Sequence, residues 1–187
     1  MSTSDFQKIL IIQTASIGDV ILATPLLEKL HAHFPEAKID FLLKKGNESL
    51  FSGHPFLNKI VVWIKSERKY RNLFDILAAI RETKYDLVVN IQRFATSGML
   101  TAFSGAKTTI GFDKNPFSLL FTNRIKHNIK TGEIHEVERN MKLVQSITDA
   151  TPFPVRLYPS ANDDARMSQY KTRAYITVSP ASLWFTK

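Results

Sequence analysis

Cysteine is absent from the 187 residues. That excludes a disulfide framework, a thiolate zinc site, an iron–sulfur cluster and a cysteine nucleophile, each of which needs that side chain. Glycine is scarce: seven are present, where the usual frequency of about 7% would give roughly 13. Glycine-rich phosphate loops are correspondingly missing, and neither G-x-G-x-x-G nor a Walker sequence occurs. No apolar run approaches the ~20 residues of a membrane span, and the Met-Ser-Thr-Ser-Asp start lacks the basic and apolar stretches of a secretory signal. A cytoplasmic location is the expectation.

What is present is a globular composition, with 44% hydrophobic, 11% aromatic and 22% charged residues. Such a chain can bury a core, and its length suits one domain, or one with part of a second. The 25 Lys and Arg outnumber the 17 Asp and Glu, leaving +8. That surplus favours nucleic acid, an anionic membrane face or phosphorylated small molecules without choosing among them.

Lys8–Thr14 (KILIIQT) is a continuous apolar run, the pattern of a strand buried on both faces of a parallel sheet. It stops at Ala15-Ser16-Ile17-Gly18-Asp19, after which Val20, Ala23, Leu27, Leu30 and Phe34 recur at helical spacing. Pro25 predicts a kink, or a short first turn with a second helix start at Thr24. Strands follow at Lys38–Leu43, Lys59–Ile64, Asp86–Ile91 and Thr108–Phe112, with helices at Leu73–Thr83 and Phe94–Phe103. Alternation of this kind predicts an α/β fold, a Rossmann-like, doubly wound parallel sheet. Lys114–Lys130 has no clean period, and Glu133–Ile147 reads as a helix. Three prolines mark Thr151–Pro159 as a surface linker. A short polar helix near Asp163–Tyr170 then leads to Ala174–Val178 (AYITV), read as one more buried strand. The expected division is therefore residues 1–155 as one Rossmann-like domain, 156–171 as linker, and 172–187 as the first strand and loop of a second, truncated domain.

Open α/β sheets bind ligands at the carboxyl ends of their strands, which draws attention to Ser16-Ile17-Gly18-Asp19. Exposed amides at the helix start suit an anionic or hydroxyl-rich ligand, and Asp19 could accept a proton from it. Ser16 with Asp19 three residues on is also a capping box that needs no ligand. The two readings are compatible.

KILIIQTASIGDVILATPLLEKLHAHFPEAKIDFLL (residues 8–43) resembles the amino-terminal signature of glycosyltransferase family 9, the heptosyltransferases. YDLVVNIQ (Tyr85–Gln92), TTIGFD (Thr108–Asp113) and HEVERN (His135–Asn140) are similar to further stretches of the family, and SPASLWFTK (residues 179–187) is similar to the start of its donor-binding domain. The resemblance implies a GT-B architecture, of which this chain would be the N-terminal half. It implies transfer of a heptose from ADP-heptose to the inner core of lipopolysaccharide with inversion, with Asp19 as the base. It also implies Lys187 and Ser182 as contacts to the donor phosphates. Two positions depart from the family pattern: Gln13 stands where Lys or Arg is common, and Asn90 where Asp is common.

The anionic inner core would need basic acceptor contacts. Lys65–Arg71 is the densest basic run, and Arg68, Lys69 and Arg71 are candidates, with Arg93 beyond the fourth strand. The alternative is a solvated charged loop. Ser16 and Gly18 complete the acceptor set together with His135, whose bland reading is a helix-start histidine bonded to a backbone carbonyl. Glu136 and Arg139 are spaced to pair, and Asp163-Asp164 is read as a helix start rather than a metal pair. Neither metal nor cofactor is expected. Expected partners are a nucleotide-sugar donor, a lipid-linked anionic glycan acceptor and a peripheral membrane surface, with no nucleic acid. The alternatives are a GT-B enzyme for another nucleotide sugar and acceptor, and a non-catalytic basic α/β module that binds nucleic acid.

Overall fold

The computed structural model describes residues 6–65, 69–127 and 134–178. Six strands, β1 (Lys8–Gln13), β2 (Lys38–Lys44), β3 (Leu57–Trp63), β4 (Leu87–Asn90), β5 (Thr108–Phe112) and β6 (Asn123–Ile125), form one sheet in the order β3-β2-β1-β4-β5-β6. Every adjacent pair is parallel. This is the doubly wound α/β arrangement, in which the chain reverses its direction of travel between β1 and β4 and opens a crevice at their carboxyl ends.

The apolar run of β1 is continuous because both of its faces are covered. Ile9 and Ile11 pack with α1 (Ile17–Ile21), α2 (Thr24–His33) and the segment holding Leu143 and Val144. Leu10 and Ile12 point the other way, into a cluster with Leu73, Ile76 and Ile80 of α3 (Lys69–Thr83) and Leu100 of α4 (Ala95–Ala102). Successive strand residues face opposite sides, so a strand sandwiched between two helical layers has no face to leave polar.

Pro25 acts as expected and splits the first helix. An amide at position 25 would have bonded the Ile21 carbonyl. Proline has no such donor, and the Thr24 hydroxyl donates to that oxygen at 2.8 Å instead. The helix expected over residues 133–147 is shorter, α5 spanning Glu136–Met141 with turns continuing through Ile147. In those turns the Leu143 and Val144 amides bond carbonyls three residues back, a tightening common at helix ends.

Two expectations need correction. The aperiodic stretch after Asp113 contains a 3-10 turn at Ser118–Leu120 and the edge strand β6. Three residues are too few to show a period, and β6 is fixed by pairing with β5 and by the exchange of hydrogen bonds between Thr109 and Thr122. Conversely, Ala174–Val178 is no buried strand: it is exposed and has no ladder partner among the described residues. A strand needs a neighbour to take its backbone groups, and β-propensity cannot supply one. The preceding α6 (Ala161–Ser168) starts at Ser160, whose hydroxyl accepts from the Asp163 amide at 3.2 Å. Asp163 is therefore part of a helix start, as read from the sequence.

Candidate functional site

Ser16 and Asp19 meet at the carboxyl end of β1. The Asp19 carboxylate accepts through Oδ2 from the Ser16 amide at 3.1 Å and from the Ser16 hydroxyl. The two residues take up the capping-box arrangement at the start of α1. Oδ1 of Asp19 has no protein partner among the described residues, and the residue is only half-buried. One carboxylate oxygen is thus fixed by the turn, and the other has no bond within it. Gly18, in the same turn, is exposed, and a side chain there would touch nothing.

The turn is held by groups from three other segments, one of them held in place by a fourth. Lys65 Nζ donates to the Thr14 carbonyl at 2.8 Å while lying 4.6 Å over the Trp63 ring. Asn47 Nδ2 donates to the Ala15 carbonyl at 3.2 Å. Across the β1–β4 junction, the Thr14 hydroxyl donates to Gln92 Oε1 at 2.7 Å in a buried contact. Asn115 Nδ2 in turn donates to the Gln92 and Phe94 carbonyls at 3.2 and 3.1 Å. Gln13, the departure noted in β1, accepts from the Ala15 amide at 3.3 Å and so braces the turn from within. Asn90, the other departure, accepts from the Gln92 amide at 2.9 Å. The side-chain amides of Asn90 and Gln92 are buried without a partner of their own among the described residues.

Sequence reasoning did not single out Thr14, Asn47, Gln92 or Asn115 as site residues, and it took Lys65 only as part of a basic run. Gln92 had a signal, since it ends the fourth-strand motif. Asn47 and Asn115 had none: each sits in a loop whose meeting with β1 or β4 is created by the sheet order.

None of the remaining candidates among the described residues bonds to Asp19. Arg71 is exposed in the first turn of α3, and Arg93 is exposed just beyond β4. Arg93 and Arg139 both lie close enough to His127 for their charges to add to burial in lowering its pKa. His127 itself is buried edge-on against Phe112, 4.7 Å between ring centroids. Arg139 also pairs with Glu136 at 3.1 Å, the simple partnership its spacing suggested. His135 is exposed at the start of α5, and its Nδ1 accepts from the Val137 amide at 3.2 Å. Its backbone contact is therefore to an N–H and not to a carbonyl. Lys69 is described only as the first residue of α3. Arg68, Ser182 and Lys187 lie outside the described residues. Among the described residues no cluster of three or more His, Asp or Glu could hold a metal ion.

The family model described as glycosyltransferase family 9 (heptosyltransferase) matches residues 73–187. The chain is 26% identical to lipopolysaccharide heptosyltransferase 1 of Pseudomonas aeruginosa, in an alignment covering 96% of this chain and 54% of that protein. Its fold is similar to that of a glycosyltransferase family 9 structure from Veillonella parvula, with a TM-score of 0.79 at 20% identity, over 92% of this chain and 51% of the other. It also resembles the E. coli heptosyltransferase WaaC bound to ADP-2-deoxy-2-fluoro heptose, with a TM-score of 0.59 at 23% identity, over 75% and 48% of the two chains. The chain spans about half the length of these relatives. A family model matched over more than half of its residues identifies the chain as a member of glycosyltransferase family 9.

Proposed function

We propose that this chain is the acceptor-binding lobe of an inverting glycosyltransferase that moves a heptose from an ADP-activated donor onto the inner core of lipopolysaccharide, with Asp19 as general base. The observation that carries the reading is the state of the Asp19 carboxylate, in the turn that follows β1, with one oxygen anchored by Ser16 and the other without a protein partner among the described residues. A base must be held in orientation and still reach the hydroxyl whose proton it takes. The Ser16 contacts support the first requirement for Asp19, and its partnerless oxygen supports the second.

In this reading the acceptor hydroxyl gives its proton to Asp19 as its oxygen attacks the anomeric carbon on the side opposite the leaving group. The carbon–oxygen bond to the diphosphate breaks, ADP departs and the anomeric centre inverts. Residues 1–155 form the acceptor lobe, 156–171 a connector and 172–187 the beginning of a donor lobe. Lys187 and Ser182 belong to the donor phosphates, where positive charge and hydrogen bonds stabilise the leaving group. Arg68, Lys69, Arg71, Arg93 and His135 rim the acceptor side, where guanidinium forks match carboxylates and phosphates. The relatives' greater length supports assigning most of the donor site to residues beyond these, so the 187-residue chain alone does not turn over. Because the acceptor is lipid-linked, the enzyme works at a membrane surface.

The test is Asp19→Asn in the full-length enzyme, assayed for ADP release with ADP-heptose and a core-deficient lipopolysaccharide acceptor. Loss of a positioned base lowers kcat by about 10²–10⁴-fold and leaves donor affinity unchanged. Turnover at the unaltered rate would remove Asp19 from this role.

A further inference from the structure

Net charge is distributed unevenly along the chain. Residues 69–132 contain ten Lys or Arg against four Asp or Glu and so carry +6 of the total +8, while residues 1–68 and 133–187 carry +1 each. Asp86, one of those four acids, is occupied by Lys107 at 2.9 Å and by the Gln7 and Lys8 amides. A second, Asp113, accepts from the His127 amide at 2.9 Å.

The exposed apolar side chains segregate in the same way. Among the described residues before position 155, seven large hydrophobic side chains are exposed, and six of them are Tyr70, Phe74, Phe94, Phe103, Leu119 and Leu120. The seventh, Ile17, belongs to α1 on the other side of the sheet. Phe74 is 60% exposed and Leu119 is 79% exposed. The inner face of this layer is fully used, with Leu73, Ile76, Ile80 and Leu100 packed on the sheet. Its outer face is continuous: Arg81 of α3 donates to the Phe103 carbonyl at 3.0 Å, and Phe103 meets Phe117 beside the 3-10 turn at 6.0 Å between ring centroids.

We propose that the outer face of α3 and α4, continued by residues 114–126, docks on an anionic phospholipid surface. Charge complementarity selects this occupant. Exposed cations in the same stretch as exposed aromatic and aliphatic side chains match anionic headgroups and the apolar zone beneath them. A second copy of the chain would bring the exposed cations of this stretch, among them Arg71, Arg93, Lys114 and Arg124, against the same set. Duplex nucleic acid would neutralise the cations and leave the apolar side chains in water. The docking is peripheral, since no helix among the described residues is long and apolar enough to cross a membrane. The inference rests on the proposed lipid-linked acceptor for its purpose: α3 and α4 both begin at the carboxyl edge of the sheet, the edge at which the turn holding Asp19 follows β1.

The test is cosedimentation with vesicles made of equal parts phosphatidylglycerol and phosphatidylcholine, beside vesicles of phosphatidylcholine alone. The wild-type protein pellets with the anionic vesicles at low ionic strength, and binding falls as salt is added. Phe74→Ser with Leu119→Ser, and separately Lys114→Glu with Arg124→Glu, each lower the partition coefficient roughly tenfold or more. Lys38→Glu with Lys59→Glu makes the same charge change away from the layer and leaves tight binding in place. All these side chains are exposed, so the variants keep the wild-type circular dichroism and melting temperature. Failure to bind anionic vesicles overturns the proposal, as does equal loss in the Lys38 and Lys59 control, or tight duplex-DNA binding without vesicle binding. No donor or acceptor enters the assay, so its failure is separable from the outcome at Asp19.

Discussion

His54 is 9% exposed, between the rings of Phe51, Phe56 and Tyr158, and neither of its ring nitrogens has a hydrogen-bond partner among the described residues. Burial, with the charge of His31 adding to it, pushes its pKa down to about 4. The unfolded chain takes up this proton near the ordinary histidine value of about 6.5. Between those two values the unfolded state binds more protons, so stability rises with pH across the window. The contribution is complete above about pH 6.5 and is lost as the pH falls toward 4, with a size of about 1–3 kcal/mol. Urea midpoints measured across that range should show a shallower slope for His54→Phe, which keeps a ring in the pocket and removes the titration. Buried His127 has its pKa lowered in the same direction, so some slope persists in the variant. An identical slope in both proteins would assign the effect elsewhere. Nothing local marked His54: a histidine next to a proline in a loop reads as surface, and its burial comes from Tyr158, about a hundred residues downstream.

The helix α4 is tied to the loop after β5 by a close approach that only glycine permits. A Cβ at Gly98 would sit 1.9 Å from Asn115 Oδ1. Asn115 is the side chain that bonds the Gln92 and Phe94 carbonyls and accepts from the Phe117 amide at 2.9 Å. Gly98→Ala therefore displaces Asn115 and leaves buried groups unpaired, at a cost of about 1–3 kcal/mol despite alanine's better helix propensity. A denaturant titration that found Gly98→Ala more stable than wild type would show that the loop yields easily. Most elements were legible because their signals are local. The strands β1, β2, β4 and β5 are short apolar runs, α3 carries its own period, and Pro25 announced the break between α1 and α2. The elements that were misread depend on partners. β6 exists because β5 lies beside it, and Ala174–Val178 has strand-forming residues without a neighbouring strand.

The chain after α5 is fastened to α2 by three residues close together on that helix. Lys29, only 1% exposed, reaches Asp149 at 2.5 Å and the Thr151 carbonyl at 2.7 Å. Thr24 accepts from the Arg156 amide at 3.0 Å, and Glu28 accepts from the Tyr158 hydroxyl at 2.9 Å. Lys29→Met keeps most of the buried stem and removes the ammonium, leaving the Thr151 carbonyl without its donor. It should cost about 1–3 kcal/mol in urea unfolding. Amide exchange across residues 149–158 should quicken more than exchange in β1. Uniform acceleration over the whole sheet would mean that the contact supports global stability rather than this clasp. Pro152 and Pro154 identified the stretch as a linker, yet its attachment to α2 spans more than a hundred residues and was invisible in the sequence.

The sequence by itself determined the alternating strands and helices, the Ser16–Asp19 turn and the resemblance to a glycosyltransferase family. Each of these is carried by neighbours along the chain, through apolar runs, caps and short motifs. Only the tertiary structure decided that Lys65, Asn47 and Gln92 brace that turn, that residues 149–158 lie along α2, and that exposed aromatic side chains gather on the basic layer. Those outcomes follow from the strand order, which sets β1 between β2 and β4. Packing of both sheet faces selects that order, and no local propensity encodes it.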